Sequence, residues 1–227
     1  MTKINARLIG LTQPTIEARI PNSEGILAYC ARVSNPSNQD NFDTAEKLLR
    51  YCIKNKHWSV FEMSNAVVEV EAPRDITRQL LRHRSFSFQE FSQRYSDEIE
   101  FTDREFRRQD TKNRQNSIDD LPKEELEQCT FDVNKVIADT RYLYRCLREA
   151  DVAKECARVF LPEGLTMSKL YVNGTLRSYL TYLQVRLDDG TQKEHQIMAQ
   201  KIKECLEPAF PTVFGKLFDL AQGLDNG

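Results

Sequence analysis

The chain has 227 residues, with 32 Lys and Arg against 34 Asp and Glu, which gives a formal net charge of −2 at pH 7. A chain of this length buries about 70% of its unfolded surface, so we expect a single domain over residues 1–227 that folds without disulfides. The slightly negative charge argues against bulk electrostatic binding to nucleic acid, although it leaves room for a local basic patch.

Cysteine and histidine usage narrows the class of protein further. The six cysteines form no Cys-x-x-Cys pair and the N-terminus shows no leader peptide, so we expect reduced thiols and a cytoplasmic location. No apolar run is long enough to span a bilayer, and the three histidines are not at zinc-ligand spacing, so neither a membrane nor a metal is expected. The common glycine-rich nucleotide motifs and His-Glu-x-x-His are absent as well.

The first third of the chain predicts strands and helices in alternation. Loosely alternating residues predict a strand over 4–12, and helices follow over 23–34 and 43–53, the second with Asp43 as its N-cap. Residues 65–72 have the β-branched content of a further strand. The next helix, over 73–81, therefore leads directly out of a strand.

The segment 82–95 after that helix is the most distinctive part of the sequence. It contains three arginines, one histidine and three serines, with Phe86, Phe88 and Phe91 spaced among them. Clustered cations at a helix end are often a solvated basic cap. A free loop does not need three apolar rings, however, so we expect the phenylalanines to anchor this loop and its arginines to hold a ligand.

The middle of the chain changes from polar to helical. Residues 101–121 are polar and predict a solvated loop, and residues 121–150 predict one long scaffold helix. The apolar positions of this helix are Leu126, Val133, Ile137, Leu143 and Leu147.

The last third predicts one more strand among several helices. A short helix over 151–160 ends before Pro162, and residues 166–172 predict a strand. A helix over 176–186 places Leu176, Leu180 and Leu183 on one face, a helix over 192–206 follows, and a short final helix ends near residue 220. Few strands and many helices indicate an α+β fold, with a small, mainly antiparallel sheet flanked by helices that include one long helix.

One motif in the distinctive segment resembles a family signature. Arg82, His83 and Arg84, then seven residues, then Ser92 and Arg94, are similar to the signature of the flavin-dependent thymidylate synthases. The resemblance runs from about residue 24 to about residue 215, with further similar stretches at 30–34, 57–62, 78–79, 157–162 and 176–186.

The resemblance implies an enzyme and its cofactors. It implies reductive methylation of dUMP to dTMP, with FAD as the cofactor, 5,10-methylenetetrahydrofolate as carbon donor and NADPH as reductant. It also implies a homotetramer in which several chains contribute to each active site. A classical thymidylate synthase needs a thiolate in a Pro-Cys context, whereas Cys129 follows Gln128 and Cys156 follows Glu155. We therefore expect all six cysteines to be packing residues, with no enzyme nucleophile.

Site residues follow from the same resemblance, position by position. Arg158, which activates dUMP, and His57, which links the flavin to the folate or electron-donor side, are the implied catalytic pair. The implied dUMP-binding set is Gln79, Glu90, Ser92, Gln93, Arg94, Arg158 and Arg186. The implied FAD-binding set is Ser34, His57, Ser59, Arg82, His83, Arg84, Ser85, Thr175, Arg177 and Thr181. By position alone Arg158 and Arg186 resemble ordinary surface arginines.

The chain departs from the family pattern in two places. Many members carry a flavin-contacting histidine where this chain has Gly190, so we expect His195 or a backbone group to take its place. Thr175 lies where an asparagine-containing stretch is usual, which makes Thr175 and Thr181 the least typical of the set.

An interpretation from another class competes with the enzyme. The arginines and phenylalanines of the distinctive segment would also suit a module that binds a nucleotide or single-stranded nucleic acid, because such modules combine cations with stacking rings. The net negative charge and the placement of Arg158 and Arg186 far along the chain count against it.

Overall fold

The computed structural model describes residues 2–95 and 98–223. The strands are β1 (Asn5–Leu11), β2 (Asn65–Pro73), β3 (Ser87–Glu90), β4 (Arg108–Gln109), β5 (Ser117–Ile118) and β6 (Met167–Thr175). The α-helices are α1 (Ser23–Ala31), α2 (Ala45–Lys54), α3 (Arg74–Leu80), α4 (Lys123–Glu149), α5 (Lys154–Ala157), α6 (Leu176–Arg186), α7 (Lys193–Leu206) and α8 (Phe218–Ala221). Short 3-10 turns cover Ile16–Ala18, Pro36–Asn38, Trp58–Glu62, Arg158–Phe160 and Glu163–Leu165, and a π-helical turn covers Pro211–Lys216.

The main sheet has four antiparallel strands in the order β1-β2-β6-β3. Val68 of β2 is paired with Val172 of β6, and Phe88 of β3 is paired with the same Val172 from the other side. Alternate residues of β2 are buried because successive side chains point to opposite faces of a sheet. This mixed arrangement of one small antiparallel sheet and flanking helices confirms the predicted fold class.

The core lies between the inner face of this sheet and the C-terminal helices. Helix α6 contributes Leu176, Leu180 and Leu183, all buried as the spacing predicted. Helix α7 packs against β1 and α6, and Phe210 and Phe214 complete the same apolar cluster. The sheet edge at β3 is thereby fixed relative to α6.

Several predicted details differ from the structure. Strand β3 occupies part of the segment expected to be a loop, because four of its residues pair with β6. Helix α2 begins after Thr44 without a side-chain cap, so the prediction that Asp43 caps it is wrong. The polar stretch 101–121 is mostly irregular as expected but includes the paired two-residue strands β4 and β5.

Helix α4 is long, as predicted, and most of it is exposed. Leu126 and Leu143 are exposed, and Tyr144 is the residue of the helix that is buried. The described chain leaves most of this 27-residue helix uncovered, including two of its apolar positions. Among the helices in the described ranges, none combines the length and apolarity needed to cross a bilayer.

A glycine in β6 makes room for the ring that anchors the distinctive segment. A β-carbon at Gly174 would lie 2.3 Å from Phe86 Cδ1, far inside van der Waals contact. The Phe86 ring is 8% exposed and lies 4.9 Å from the ring of Tyr179 and 5.8 Å from that of Tyr182. Close packing of Phe86 against bare backbone therefore holds the segment after α3 in place.

We expect Gly174→Ala to lower the free energy of unfolding by about 1–3 kcal/mol, because the added methyl group overpacks the Phe86 ring. Gly10→Ala is the matched control, since a β-carbon there would meet Val67 at an ordinary 3.6 Å. Urea unfolding of both variants measures the difference. Equal stability of the two would show that Phe86 is free to move.

Candidate functional site

The distinctive segment wraps around one edge of the main sheet. Helix α3 ends at Leu80, and the His83 backbone N–H donates to the Leu80 carbonyl at 3.0 Å, so the chain turns immediately. As predicted, Phe86 anchors this turn, and Phe88 is half-buried beside it. Phe91 is 38% exposed, so the prediction that it is an anchor is wrong.

His83 and Arg186 meet at the end of α6. Arg186 Nε donates to His83 Nε2 at 3.1 Å, and the His83 ring stands edge-on to Tyr182 at 5.0 Å. Since a guanidinium can only donate, Nε2 is the acceptor and the His83 proton lies on Nδ1. Burial and the positive charge of Arg186 lower the pKa of His83. A neutral His83 therefore fixes one nitrogen of Arg186.

Gln79 is held by side chains from α7 and the residue before it. His195 Nδ1 lies 3.0 Å from Gln79 Oε1, and Gln79 Nε2 donates to Gln192 Oε1 at 2.7 Å. Gln192 Nε2 donates in turn to Glu194 Oε2 at 3.0 Å, and Arg107 Nη2 donates to Glu194 Oε1 at 2.6 Å. Burial opposes ionisation of Glu194, but its hydrogen bonds outweigh burial and lower its pKa.

His195 does not take the place of the histidine missing at Gly190. Its side chain is 0% exposed, so it lies inside the protein and supports Gln79. Burial, reinforced by Arg186 and His83, lowers the pKa of His195 to about 3. Gly190 itself lies in a turn, where its N–H donates to Asp188 Oδ1 at 2.8 Å.

Glu90 is surrounded by positive charge at the sheet edge. Its carboxylate lies 3.1 Å from Arg78 Nη1 and 3.5 Å from Arg74 Nη1, and Ser168 Oγ donates to it at 3.0 Å. Neither Arg74 nor Arg78 belongs to the predicted set of site residues. Their spacing of one helical turn, which places them on the same face of α3, is the signal that would have found them.

Ser92, Gln93 and Arg94 form a turn just beyond β3. Ser92 Oγ accepts from the Arg94 backbone N–H at 3.3 Å, so it acts as a turn residue. Gln93 is buried and lines a cavity of about 260 Å³ together with Ser168. The Arg94 side chain is exposed and lies 3.7 Å from Glu155.

Three arginines of the predicted set lack a carboxylate partner. Among residues 2–95 and 98–223, no Asp or Glu oxygen lies within 4 Å of the guanidinium of Arg82, Arg84 or Arg158. Arg158 is the first residue of a 3-10 turn. Burial lowers the pKa of Arg74, and the positive charge of Arg158 adds a smaller contribution in the same direction.

Three of the remaining predicted FAD residues line two separate cavities. Ser34 lines one of about 440 Å³, whose wall includes Tyr51, and the exposed His57 ring stands 5.7 Å from Tyr51. Thr181 and Arg177 line the other, of about 230 Å³, together with Trp58. Ser59 is exposed within the turn Trp58–Glu62.

At the start of α6, the predicted site residues Thr175 and Arg177 both make contacts within the protein. Thr175 caps the helix, because its hydroxyl oxygen accepts from the Ser178 backbone N–H at 3.1 Å. Ser178 Oγ also donates to the Ser85 carbonyl at 3.0 Å, which ties the helix to the distinctive segment. Arg177 is paired with Glu62, and both side chains are more than a third exposed. Thr175 therefore has a capping role whatever ligand it contacts.

Burial disfavours the thiolate form of three of the six cysteines. Burial raises the pKa of Cys30, of Cys52 and, to about 11, of Cys205. Cys156 is exposed, so the prediction that all six pack in the interior is wrong for Cys156. In the described part of the chain, no three His, Cys, Asp or Glu side chains cluster closely enough to hold a metal ion.

The chain is similar to known proteins over most of its length. The family model described as "Thymidylate synthase complementing protein" matches residues 15–212. A probable flavin-dependent thymidylate synthase of Paramecium bursaria Chlorella virus 1 is 43% identical over 211 residues, which cover 92% of this chain and 97% of the relative. The flavin-dependent thymidylate synthase of Synechocystis sp. is 44% identical over 216 residues, 94% of this chain and 99% of the relative.

A solved structure shows the same fold at lower sequence identity. The UMP/dUMP methylase PolB from Streptomyces cacaoi, crystallised with 5-Br dUMP, superposes with a TM-score of 0.81. The match covers 98% of this chain and 97% of that one, at 22% sequence identity. At that identity the likeness establishes the fold alone.

The lowered pKa values of the half-buried His83 and the buried His195 predict a loss of stability as the pH falls. A histidine whose pKa is lowered on folding binds its proton more readily when unfolded, so stability is complete above the unfolded pKa of about 6.5 and declines below it. Between pH 6.5 and 5 the free energy of unfolding of the native chain should fall as the pH falls. We expect this fall to be steeper than that of His195→Asn by about 1 kcal/mol per pH unit. Asparagine can still donate to Gln79 but does not titrate. Urea titrations across this range measure the two slopes, and parallel slopes would contradict a buried neutral His195.

Proposed function

Because the chain belongs to the flavin-dependent thymidylate synthases, we propose that its unpaired arginines and the Gln79 and Arg186 groups bind dUMP and FAD at the sheet edge. The chain is accordingly an enzyme that methylates a pyrimidine nucleotide, with FAD as cofactor. The observation that carries the residue assignment is the set of guanidiniums without carboxylate partners around the family signature. A free positive charge in a folded chain is suited to an anionic ligand.

We assign dUMP to residues from three parts of the chain. Arg158 is free to bind the nucleotide and polarise the uracil, while the neutral His83 keeps the Arg186 guanidinium in position. Gln79 offers an amide to the base. The protein then works by electrostatic stabilisation of charge that develops on the pyrimidine.

The turn at residues 92–94 and Glu90 complete the proposed dUMP set. Gln93 and Ser92 supply hydrogen-bonding groups, and Arg94 supplies a further exposed guanidinium. Glu90 is already neutralised by Arg74 and Arg78, so it can sit near a phosphate without repelling it.

The residues of the FAD set fit a cofactor that carries a pyrophosphate. Arg82 and Arg84 are exposed donors without carboxylate partners, and the carbonyl and hydroxyl groups of Ser85 and Ser34 lie in the same set. The exposed His57 and Ser59 and the cavity at Arg177 and Thr181 would hold the rest of it. When bound, FAD supplies the redox chemistry of the methylation.

Methylenetetrahydrofolate and NADPH are proposed as co-substrates. The exposed position of His57 beside Tyr51 suits a residue at the entry for a second planar ligand. The raised thiol pKa values of Cys30, Cys52 and Cys205 support a route without a cysteine nucleophile. The nucleic-acid-binding interpretation is not favoured, because the matched relatives are synthases along nearly their whole length.

We further propose that the active protein is a homotetramer. Helix α4 presents Phe131 and Tyr142, each more than 60% exposed, about three turns apart on one side. Val159 and Phe160, next to Arg158, are exposed as well. Apolar groups gathered in this way are typical of a surface that a second chain covers. A cytoplasmic location and a single domain over 1–227 stay predictions from the sequence.

Arg158→Gln is expected to lower kcat/KM for dUMP about 100-fold or more, because a charge-assisted contact to an anionic ligand is lost. Thermal stability should not change, since Arg158 has no ion pair in the described ranges. The measurement is NADPH-dependent tritium release from dUMP labelled at C5, with FAD and methylenetetrahydrofolate present. Arg108→Gln is the control, because it breaks an exposed ion pair with Asp120 on the β4–β5 hairpin. Equal activity in the two variants would refute the assignment of Arg158.

The oligomer prediction is tested by mass. Light scattering should give the mass of four 26.4 kDa chains for the native protein and a smaller mass for the double variant Phe131→Glu, Tyr142→Glu. Lys54→Glu, at the end of α2, changes the charge of an exposed residue away from this surface and should leave the mass unchanged. A native mass of one chain would contradict the proposal outright.

A further inference from the structure

A continuous series of hydrogen bonds runs from a buried ion pair to Gln79. It begins at Arg107 and Glu194, 2.6 Å apart, where Glu194 is 2% exposed and the Arg107 side chain 10%. It continues from Glu194 to Gln192 at 3.0 Å and from Gln192 to Gln79 at 2.7 Å, and it ends at His195, 3.0 Å from Gln79. The series links residues more than a hundred positions apart in sequence to one amide of the proposed dUMP site.

The direction of every bond in this series follows from the carboxylate. An ionised carboxylate can only accept, so Gln192 must turn its NH2 group toward Glu194 and its carbonyl oxygen toward Gln79. Gln79 must then turn its own NH2 group toward Gln192 and its oxygen toward His195. His195 in turn must carry its proton on Nδ1. An amide free of such a constraint turns over readily, because its two ends have nearly the same shape.

Two hydrogen-bonding groups of the Gln79 amide remain unused. One N–H of Nε2 and one lone pair of Oε1 are left over after the bonds to Gln192 and His195. An amide N–H and an amide oxygen that contact one base together match the N3–H and carbonyl edge of uracil. A turned amide would present them in the reverse order, which matches the amino group and N3 of cytosine.

We propose that Glu194, acting through Gln192, fixes the orientation of the Gln79 amide and thereby makes the site select a uracil nucleotide over a cytosine nucleotide. Gln192 and Glu194 are positioning residues, since they act on the base through Gln79. The inference rests on the proposed function, in which Gln79 contacts the base. It deepens that function, because it names the groups that decide between two nucleotides of the same size and charge.

The test compares the binding of dUMP and dCMP to the FAD-loaded protein by calorimetry. Gln192→Met removes both hydrogen bonds of an exposed side chain and leaves the Glu194 and Arg107 pair in place. We expect the ratio of the dCMP to the dUMP dissociation constant to fall about tenfold, the value of one misdirected hydrogen bond. Gln200→Met is the matched control, because Gln200 donates to Glu204 at 3.2 Å on the exposed side of the same helix. Equal ratios in the two variants would overturn the inference.

A spectroscopic measurement separates positioning from simple structural support. In 15N spectra of histidine-labelled protein, His195 should be the Nδ1–H tautomer in the native chain and a mixture of tautomers in Gln192→Met. His195→Asn identifies its signals. A pure Nδ1–H form in Gln192→Met would overturn the inference, because it would show that Gln79 keeps its orientation without Gln192.

Two further variants distinguish the inference from the function on which it rests. Glu194→Gln replaces an acceptor with a group that also donates, and it should lower the same ratio of dissociation constants. If Gln79→Ala leaves dUMP affinity unchanged, the assignment of Gln79 to the base is wrong and the inference falls with it. If Gln79→Ala weakens dUMP binding while Glu194→Gln and Gln192→Met keep the native ratio, the inference alone is wrong.

Discussion

The packing of Phe86 over Gly174 is the constraint on which the rest of the site depends. The ring occupies space that any other residue at position 174 would fill, and it also contacts Tyr179 and Tyr182 of α6. Arg82, His83 and Arg84 come just before it in the chain, and β3 begins just after it. One buried ring therefore sets where the cations of the signature lie relative to α6, although none of them is itself buried in the core.

The packing of Phe86 sets the position of the segment, and polar groups inside the protein set the orientations of individual site side chains. His83 and His195 are held neutral next to Arg186, and the buried Glu194 is ionised because Arg107 bonds to it. Buried polar groups of this kind are a weak source of stability and a strong source of geometric definition, since each unmade bond is costly. Their common result is that Gln79 and Arg186 have few orientations before any ligand arrives.

The sequence predicted those elements whose buried face shows as a local repeat. The leucines of α6 and the β-branched residues of β2 identified both elements, because each repeat reflects burial along one stretch of chain. Strand β3 was missed, since its four residues become a strand by pairing with β6, which lies far away in sequence. The outward position of Leu126 and Leu143 in α4 was missed for a related reason. Regularly spaced apolar residues indicate that one face of a helix will be buried. They do not indicate whether the same chain or a second chain buries it.

Ion pairing separates two kinds of arginine that sequence reasoning treats alike. Arg104 binds Asp75 through two nitrogens, at 2.9 and 3.1 Å, and Arg107 is bound by Glu194, so both arginines are used to join parts of the fold. Arg82, Arg84 and Arg158 have no such partner in the described ranges, although the chain carries more acidic than basic residues overall. With carboxylates in excess, unpaired guanidiniums would be expected to find partners unless the fold keeps those partners away. Their isolation leaves this positive charge unpaired within the described chain, which is the physical basis of the proposal that they bind an anionic nucleotide or cofactor.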